Sequence, residues 1–281
     1  MNTVDTLKIE LMSPAELNLA IDWAAAEGWN PGLHDANAFY ATDPKGFFIG
    51  KLNGEPVAVI SAVRYDDQFG FLGFYIVHPE HRGKGYGYQL WQAGMAYLGN
   101  RNVGLDGVVA EQANYRQSGF QYAYANQRYE GQGGGAFPIN VVLLDGIPFE
   151  QVLAYDSACF TRPRLSFLTR WIRQPQGAAL GVLEGDQLVG YGVIRACRSG
   201  QKIGPLFADD ADAAEALFQA LASTVPGEPL YLDVPRANPA ALELVQRHAM
   251  KPVFETARMY TQGDPGVPVQ RVFGVTSFEL G

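Results

Sequence analysis

Residues 78–91 read HPEHRGKGYGYQLW and set Gly83, Gly85 and Gly87 at alternate positions beside Arg82 and Lys84. A strand-like run, FLGFYIV, precedes them and a helix-like run, YQLWQAGMAYLG, follows. A strand, a glycine turn and a helix start together can hold an anion. The first N–H groups of a helix lack partners inside it, and the dipole adds roughly half a positive charge there. Glycine lets the backbone come within hydrogen-bond distance of a phosphate, with no Cβ in the way. Arg82 and Lys84 add charge at the rim, so the loop reads as a phosphate or pyrophosphate cradle. A turn of purely structural meaning is the other reading. The P-loop pattern fails because Lys84 is followed by Gly85 and not by a hydroxyl residue. The dinucleotide pattern fails on its spacing, which here is GxGxG, and no acidic ribose partner follows on schedule.

The chain around this loop has 281 residues, a length that suits two ordinary domains. A net charge of −8 argues against a nucleic-acid surface, which needs clustered basic residues. It suits small cationic substrates equally well. Cys159 and Cys197 are the two cysteines; they form no CxxC and have no histidine cluster nearby, so buried structural thiols are expected. MNTVDTLKIELMSPAEL lacks the basic start and apolar core of a leader peptide. No apolar run approaches the roughly 20 residues of a membrane span. The expectation is a cytoplasmic protein, monomer or homodimer, with neither a nucleic-acid nor a membrane partner.

The stretch YEGQGGGAFPIN, residues 129–140, reads as a linker whose glycines hold neither helix nor strand. The halves on either side resemble each other at a constant offset of 131: Gly46, Gly50 and Gly54 fall on Gly177, Gly181 and Gly185, Gly73 on Gly204 and Tyr129 on Tyr260. Several matches at one offset argue for a duplicated domain. The division is 1–131, a linker at 132–140 and 141–281. Each half carries a hairpin pattern around LNGE or LEGD. In the first half, Ser13 and Pro14 suit the start of a helix. Strands are expected at 46–52, 56–65, 70–77 and 103–108, a helix over 85–98, and a closing strand in FQYAYANQRYEG. This is an α/β layout with a mixed sheet, antiparallel early and parallel later.

The run IVHPEHRGKGYGYQLW closely resembles the acyl-CoA signature of the GNAT acetyltransferase superfamily, with Arg82, Gly85 and Gly87 at its fixed positions and Val77, Pro79 and Gly83 at its flanks. The resemblance covers residues 5–131 in element order. It implies that backbone amides from Arg82 through Gly83, Lys84, Gly85, Tyr86 and Gly87 to Tyr88 bind the pyrophosphate of acetyl-CoA. It also implies that the strand at Ile76 and Val77 pairs with pantetheine as with a neighbouring strand. NYRQSGFQ resembles the family's Y-x-x-x-G-F segment, with Tyr115, Gly119 and Phe120 in place. The resemblance gives Tyr115 the role of protonating the departing thiolate, a step a phenol can perform at hydrogen-bond range; packing under the donor is the alternative. The family's asparagine some seven residues earlier is missing, with Gly107 and Val108 in that region, and Asn114 is a candidate substitute that no motif in the sequence fixes. The acceptor loop corresponds to AEGWNPGLHDANAFY, with Glu27, Trp29, His34, Asp35 and Tyr40, but no base is assigned there.

The second half keeps the layout and departs from the signature. Asp209 and Asp210 stand at the glycine-loop position, and Val245, Ala249 and Met250 replace the tyrosine and the Gly-Phe pair. It resembles a GNAT domain without donor binding, as in some tandem-GNAT proteins. FGVTSFELG alternates like a strand and is expected to cross back to the first half. The expectation is an acetyl-CoA-dependent N-acetyltransferase of a small primary amine, working by direct attack in a ternary complex without a metal. The alternatives are an acyl-CoA-binding or sensing protein, or an acetyltransferase of peptide or protein amines.

Overall fold

The computed structural model describes residues 6–281. The first five residues, on which part of the leader reading rests, lie outside the described residues. The first half runs β1 (Lys8–Leu11), α1 (Pro14–Ala26), α2 (Asp35–Thr42), β2 (Phe47–Leu52), β3 (Glu55–Arg64), β4 (Phe69–Val77), α3 (Tyr86–Leu98), β5 (Asn102–Val108), α4 (Gln112–Gln117) and β6 (Gln121–Gln132). The second runs β7 (Val141–Leu143), α5 (Phe149–Phe160), α6 (Leu165–Trp171), β8 (Gly177–Glu184), β9 (Gln187–Ala196), β10 (Gln201–Ala208), α7 (Ala211–Ser223), β11 (Pro229–Pro235), α8 (Pro239–Arg247), β12 (Lys251–Tyr260) and β13 (Val272–Gly274).

Local signals account for much of this. Ser13 caps α1 in a capping box with Glu16, and Pro14 takes the first helical position. The two hairpins form where the repeated glycine turns lie, with Leu52 opposite Glu55 and Glu184 opposite Gln187. The supposed acceptor loop is shorter than its sequence suggested, because residues from Asp35 onward are α2. The glycine-rich stretch is also shorter: residues 129–132 belong to β6, since β11 and β12 supply backbone partners on both its edges.

Among the described residues the strands form one mixed sheet in the order β1-β2-β3-β4-β5-β12-β6-β11-β10-β9-β8-β7, with β13 against β10. The closing strand of the first half does not close its own half. β6 pairs with β11, while β12, from the second half, pairs with β5; the two meet antiparallel at the centre. Buried ion pairs sit on this seam. Arg128 of β6 holds Asp233 of β11 through two contacts of 2.6 and 2.8 Å, and Arg258 of β12 holds Asp106 of β5 at 2.6 and 2.9 Å.

Both faces of the sheet are covered. On β3, Ala58, Ile60 and Ala62 join the core under α3, while Val59 and Val63 join the core under α1. That second core is continuous across the halves, with Phe39 of α2 stacked on Phe167 and Trp171 of α6. The expected C-terminal strand is short. Its Val272–Gly274 part pairs with β10 of its own half, and the chain then turns toward the first half, where the Tyr65 hydroxyl donates to Leu280 O at 2.6 Å.

Candidate active site

β4 and β5 run side by side for only four residue pairs, from Phe69 opposite Asn102 to Leu72 opposite Leu105. Beyond Leu72 they separate. There β4 slips register against β3 between Val59 and Ser61, and Phe74 adopts φ +45°, a bulge that turns the strand away. The gap becomes a cavity of about 360 Å³, walled by residues 72–77 of β4, 105–108 of β5, Tyr115 of α4, and Phe254 and Thr256 of β12. Ile76 and Val77 therefore border the cavity on a stretch of β4 that has β3 on one edge and no strand on the other.

The glycine loop follows β4, and its Arg82 lines the cavity. Gly83 and Gly85 are exposed with φ +74° and +80°, a left-handed backbone that glycine adopts without strain. Gly85 is the N-cap of α3 and offers no side chain to it, so the first-turn amides at Tyr86, Gly87 and Tyr88 carry no side-chain cap. Gly87 has a different reason. A Cβ there would stand 2.8 Å from both the Tyr75 hydroxyl and Val77 Cγ2, so this glycine lets α3 pack on β4. Lys84 and Tyr88 are exposed. Arg82 donates from Nε to Val77 O at 3.0 Å and pairs with Glu27, bringing both residues to the cavity wall.

Tyr115 lines the cavity, stacked on Trp91 at a ring separation of 5.7 Å and lying across Gly107, where no Cβ interferes. Burial foremost, then the charge of Glu111 and the neighbouring Tyr75, push its phenol above the ordinary value. The group holds its proton throughout the physiological range, as an acid must. The structure places Asn114 away from the cavity wall. It is exposed on the outer side of α4 and donates to Glu111 at 2.6 Å.

On the acceptor side the structure divides the residues singled out in the sequence. Glu27 and Trp29 line the cavity. His34 and Tyr40 open instead onto a separate cleft with Arg170 and Arg173. Asp35 is buried, accepting from Arg195 Nε at 3.0 Å and from Gly32 N at 2.9 Å. Further wall comes from Phe254 and Thr256, which no motif marked, and from Phe278 and Glu279 in the C-terminal stretch expected to cross back to the first half. One signal did exist. Gly73 and Gly204, matched across the halves, each admit the C-terminal segment. A Cβ on Gly73 would collide with Glu279 O, and one on Gly204 would lie 2.6 Å from Thr276 O.

The corresponding gap in the second half is filled. β10 and β11 pair only from Gln201 opposite Leu230 to Ile203 opposite Leu232. β13 then lies against β10, and Val275 N donates to Asp233 O of β11 at 2.9 Å. At the helix start, Asp210 caps α7 by accepting from Ala213 N at 2.9 Å. Asp209 accepts from the Tyr155 hydroxyl and pairs with Arg271.

Comparison with known proteins agrees with this duplicated plan. Residues 15–120 match the acetyltransferase (GNAT) family, and residues 152–274 match an acetyltransferase (GNAT) domain. Holothin acyltransferase of Pseudoalteromonas sp. (strain SANK 73390) is 31% identical over 271 residues, 95% of this chain and 92% of that protein. A putative acetyltransferase from Pyrococcus horikoshii superposes with a TM-score of 0.84 at 20% identity, covering 98% of this chain and 96% of its own. A tandem GNAT protein from the clavulanic acid biosynthesis pathway superposes with a TM-score of 0.65 at 14% identity, covering 91% and 98%. These two likenesses speak to the fold, and the acyltransferase relative speaks to more, because the similarity runs through both halves at once. The chain belongs to the GNAT family of N-acyltransferases and carries the family's fold twice.

Proposed function

We propose that the first half transfers an acetyl group from acetyl-CoA to the primary amine of a small molecule, by direct attack within a ternary complex. The observation that carries this reading is the continuity of one path. It starts at the uncapped first turn of α3, passes the unpaired edge of β4 at Ile76 and Val77, and ends in the cavity beside Tyr115. Backbone amides around Gly85 suit a pyrophosphate. The free strand edge suits the amide groups of pantetheine. A cavity of about 360 Å³ suits a small acceptor rather than a folded protein surface. Neither cysteine lines it, and burial pushes the Cys159 thiol up to about 12. A cysteinyl acyl-enzyme therefore has no support, and the amine attacks the thioester itself while Tyr115 protonates the thiolate that leaves.

Release of free thiol from acetyl-CoA, measured over a panel of amines, tests the reading. Holothin heads the panel because of the relative's name, followed by simple alkyl and aromatic amines. Amine-dependent release, with intersecting initial-rate lines for the two substrates, is the expected result. Parallel lines would point to an acyl-enzyme, and release indifferent to every amine would defeat the proposal.

A further inference from the structure

Four carboxylates line the cavity, and three are committed. Glu27 is paired with Arg82. Asp106 accepts from Arg258 and from Asn126 Nδ2 at 2.7 Å. Glu111 is exposed and accepts from Asn114. Glu279 differs from all of them. Its residue is 4% exposed, it borders the cavity, and among the described residues its carboxylate accepts no hydrogen bond. Its main chain rests on Gly73, at the bulge where β4 leaves β5, so its position is set by the same feature that opens the cavity. The charged groups around it come from four other elements: Lys202 of β10, Asp35 of α2, Arg128 of β6 and Arg195 of β9. The cations among them are occupied elsewhere. Lys202 donates to Asn30 O at 2.7 Å, Arg128 is bound to Asp233 and Arg195 to Asp35.

We infer that Glu279, supplied by the far end of the chain, is the general base that takes the proton of the acceptor amine in the first half's cavity. The inference rests on the acetyl-transfer reading above. In the step, the nitrogen lone pair of the neutral amine forms the C–N bond to the thioester carbon, and the nitrogen, made acidic by that bond, gives its proton to the Glu279 carboxylate. Collapse breaks the C–S bond, the thiolate gains a proton from Tyr115, and solvent returns a proton to the Tyr115 phenol. The proton on Glu279 returns to solvent. Burial holds the Glu279 carboxyl above its ordinary value, against the opposing pull of Lys202. That moves the base toward the pH at which proton transfer is effective. It also means that the charged form is disfavoured in the folded protein, so a neutral replacement should not weaken the fold at neutral pH.

Glu279→Gln provides the test, in the full-length chain, with a weakly basic aromatic amine that stays neutral across the pH range used. The expected result is a fall in kcat of roughly 10²-fold or more. The wild type's loss of rate toward acid pH should disappear with it. Acetyl-CoA affinity by calorimetry should be unchanged, and the melting temperature at pH 8 equal to or above that of the wild type. Wild-type kcat with an unaltered acid limb would overturn the inference alone. So would a lower melting temperature with lost acetyl-CoA binding, which would mark Glu279 as a structural residue. Absence of amine-dependent thiol release by the wild type would overturn the acetyl-transfer reading and this inference together. Should Glu279→Gln not fold, Glu279→Asp keeps the charge on a shorter arm. A loss of kcat above tenfold with acetyl-CoA affinity intact is then expected, and wild-type kcat would overturn the assignment.

Discussion

At the scale of single residues, the duties proposed for the loop and the tyrosine are separable. Gly85 holds φ +80° in open space, so a branched side chain there meets no neighbour but strains the backbone and crowds whatever anion approaches the turn. Gly85→Val should weaken acetyl-CoA binding by about 1–3 kcal/mol while leaving the fold in place, measured by calorimetric titration and circular dichroism. Tyr115 packs on Trp91 and Phe120 through its ring, and Phe keeps those contacts. Tyr115→Phe should lower kcat by roughly 10²-fold or more with little change in acetyl-CoA affinity, under conditions where chemistry limits turnover. A variant with unchanged kcat would return Tyr115 to a packing role. The spacing of Arg82, Gly83 and Gly85 was sufficient to mark the strand-to-helix turn, because left-handed glycines at such a turn leave a local signature. Gly87 was legible as a glycine but not for its reason, since Tyr75 and Val77 reach it from another element.

At the scale of elements, the exchange of β6 and β12 decides what holds the halves together. The seam buries Arg128 against Asp233. Burial works against the Asp233 carboxylate, yet the charge and hydrogen bonds of Arg128, with Lys202 and Arg195 behind them, hold it below the usual carboxylate range. Its stabilisation is therefore complete above the ordinary unfolded value and lost as pH falls through the lower folded one. Asp233→Asn should cost about 3–5 kcal/mol at pH 7, because Arg128 is left buried without its counter-charge. The difference from wild type should narrow below about pH 4. Denaturant unfolding of both proteins across that range checks the size and the sign together; a gap that widens in acid would contradict it. The strands themselves were readable from alternation and turn residues. Their partners were not, because β6 and β12 present similar patterns and either could cover β5.

At the scale of the molecule, duplication produced two gaps between strands with different fates. The first half's gap opens into a cavity; the second half's is closed by β13, with Asp210 already capping the helix start where a pyrophosphate would sit. Carboxylates at that position repel a multiply charged phosphate and satisfy the helix dipole themselves. Calorimetry with acetyl-CoA should therefore give a stoichiometry near one per chain, with active protein concentration checked. Two sites of comparable affinity would show that β13 moves aside. The second half instead contributes to the first half's cavity, through Phe254 and Thr256 on β12 and Phe278 and Glu279 beyond β13.

The sequence alone determined that the fold is duplicated, that a glycine turn between strand and helix lies in the first half, and that acidic residues replace it in the second. Each of these is a short-range property, carried by residues within a few positions of one another or by a repeat of fixed offset. Only the tertiary structure decided that β12 crosses to β5, and that the C-terminal segment fills one gap while walling the other. It also decided that Glu279 stands beside Gly73, 206 positions away in the chain. Those outcomes depend on which strand edge wins which partner and on where a carbonyl can approach a glycine, and both are settled by packing between elements far apart in sequence.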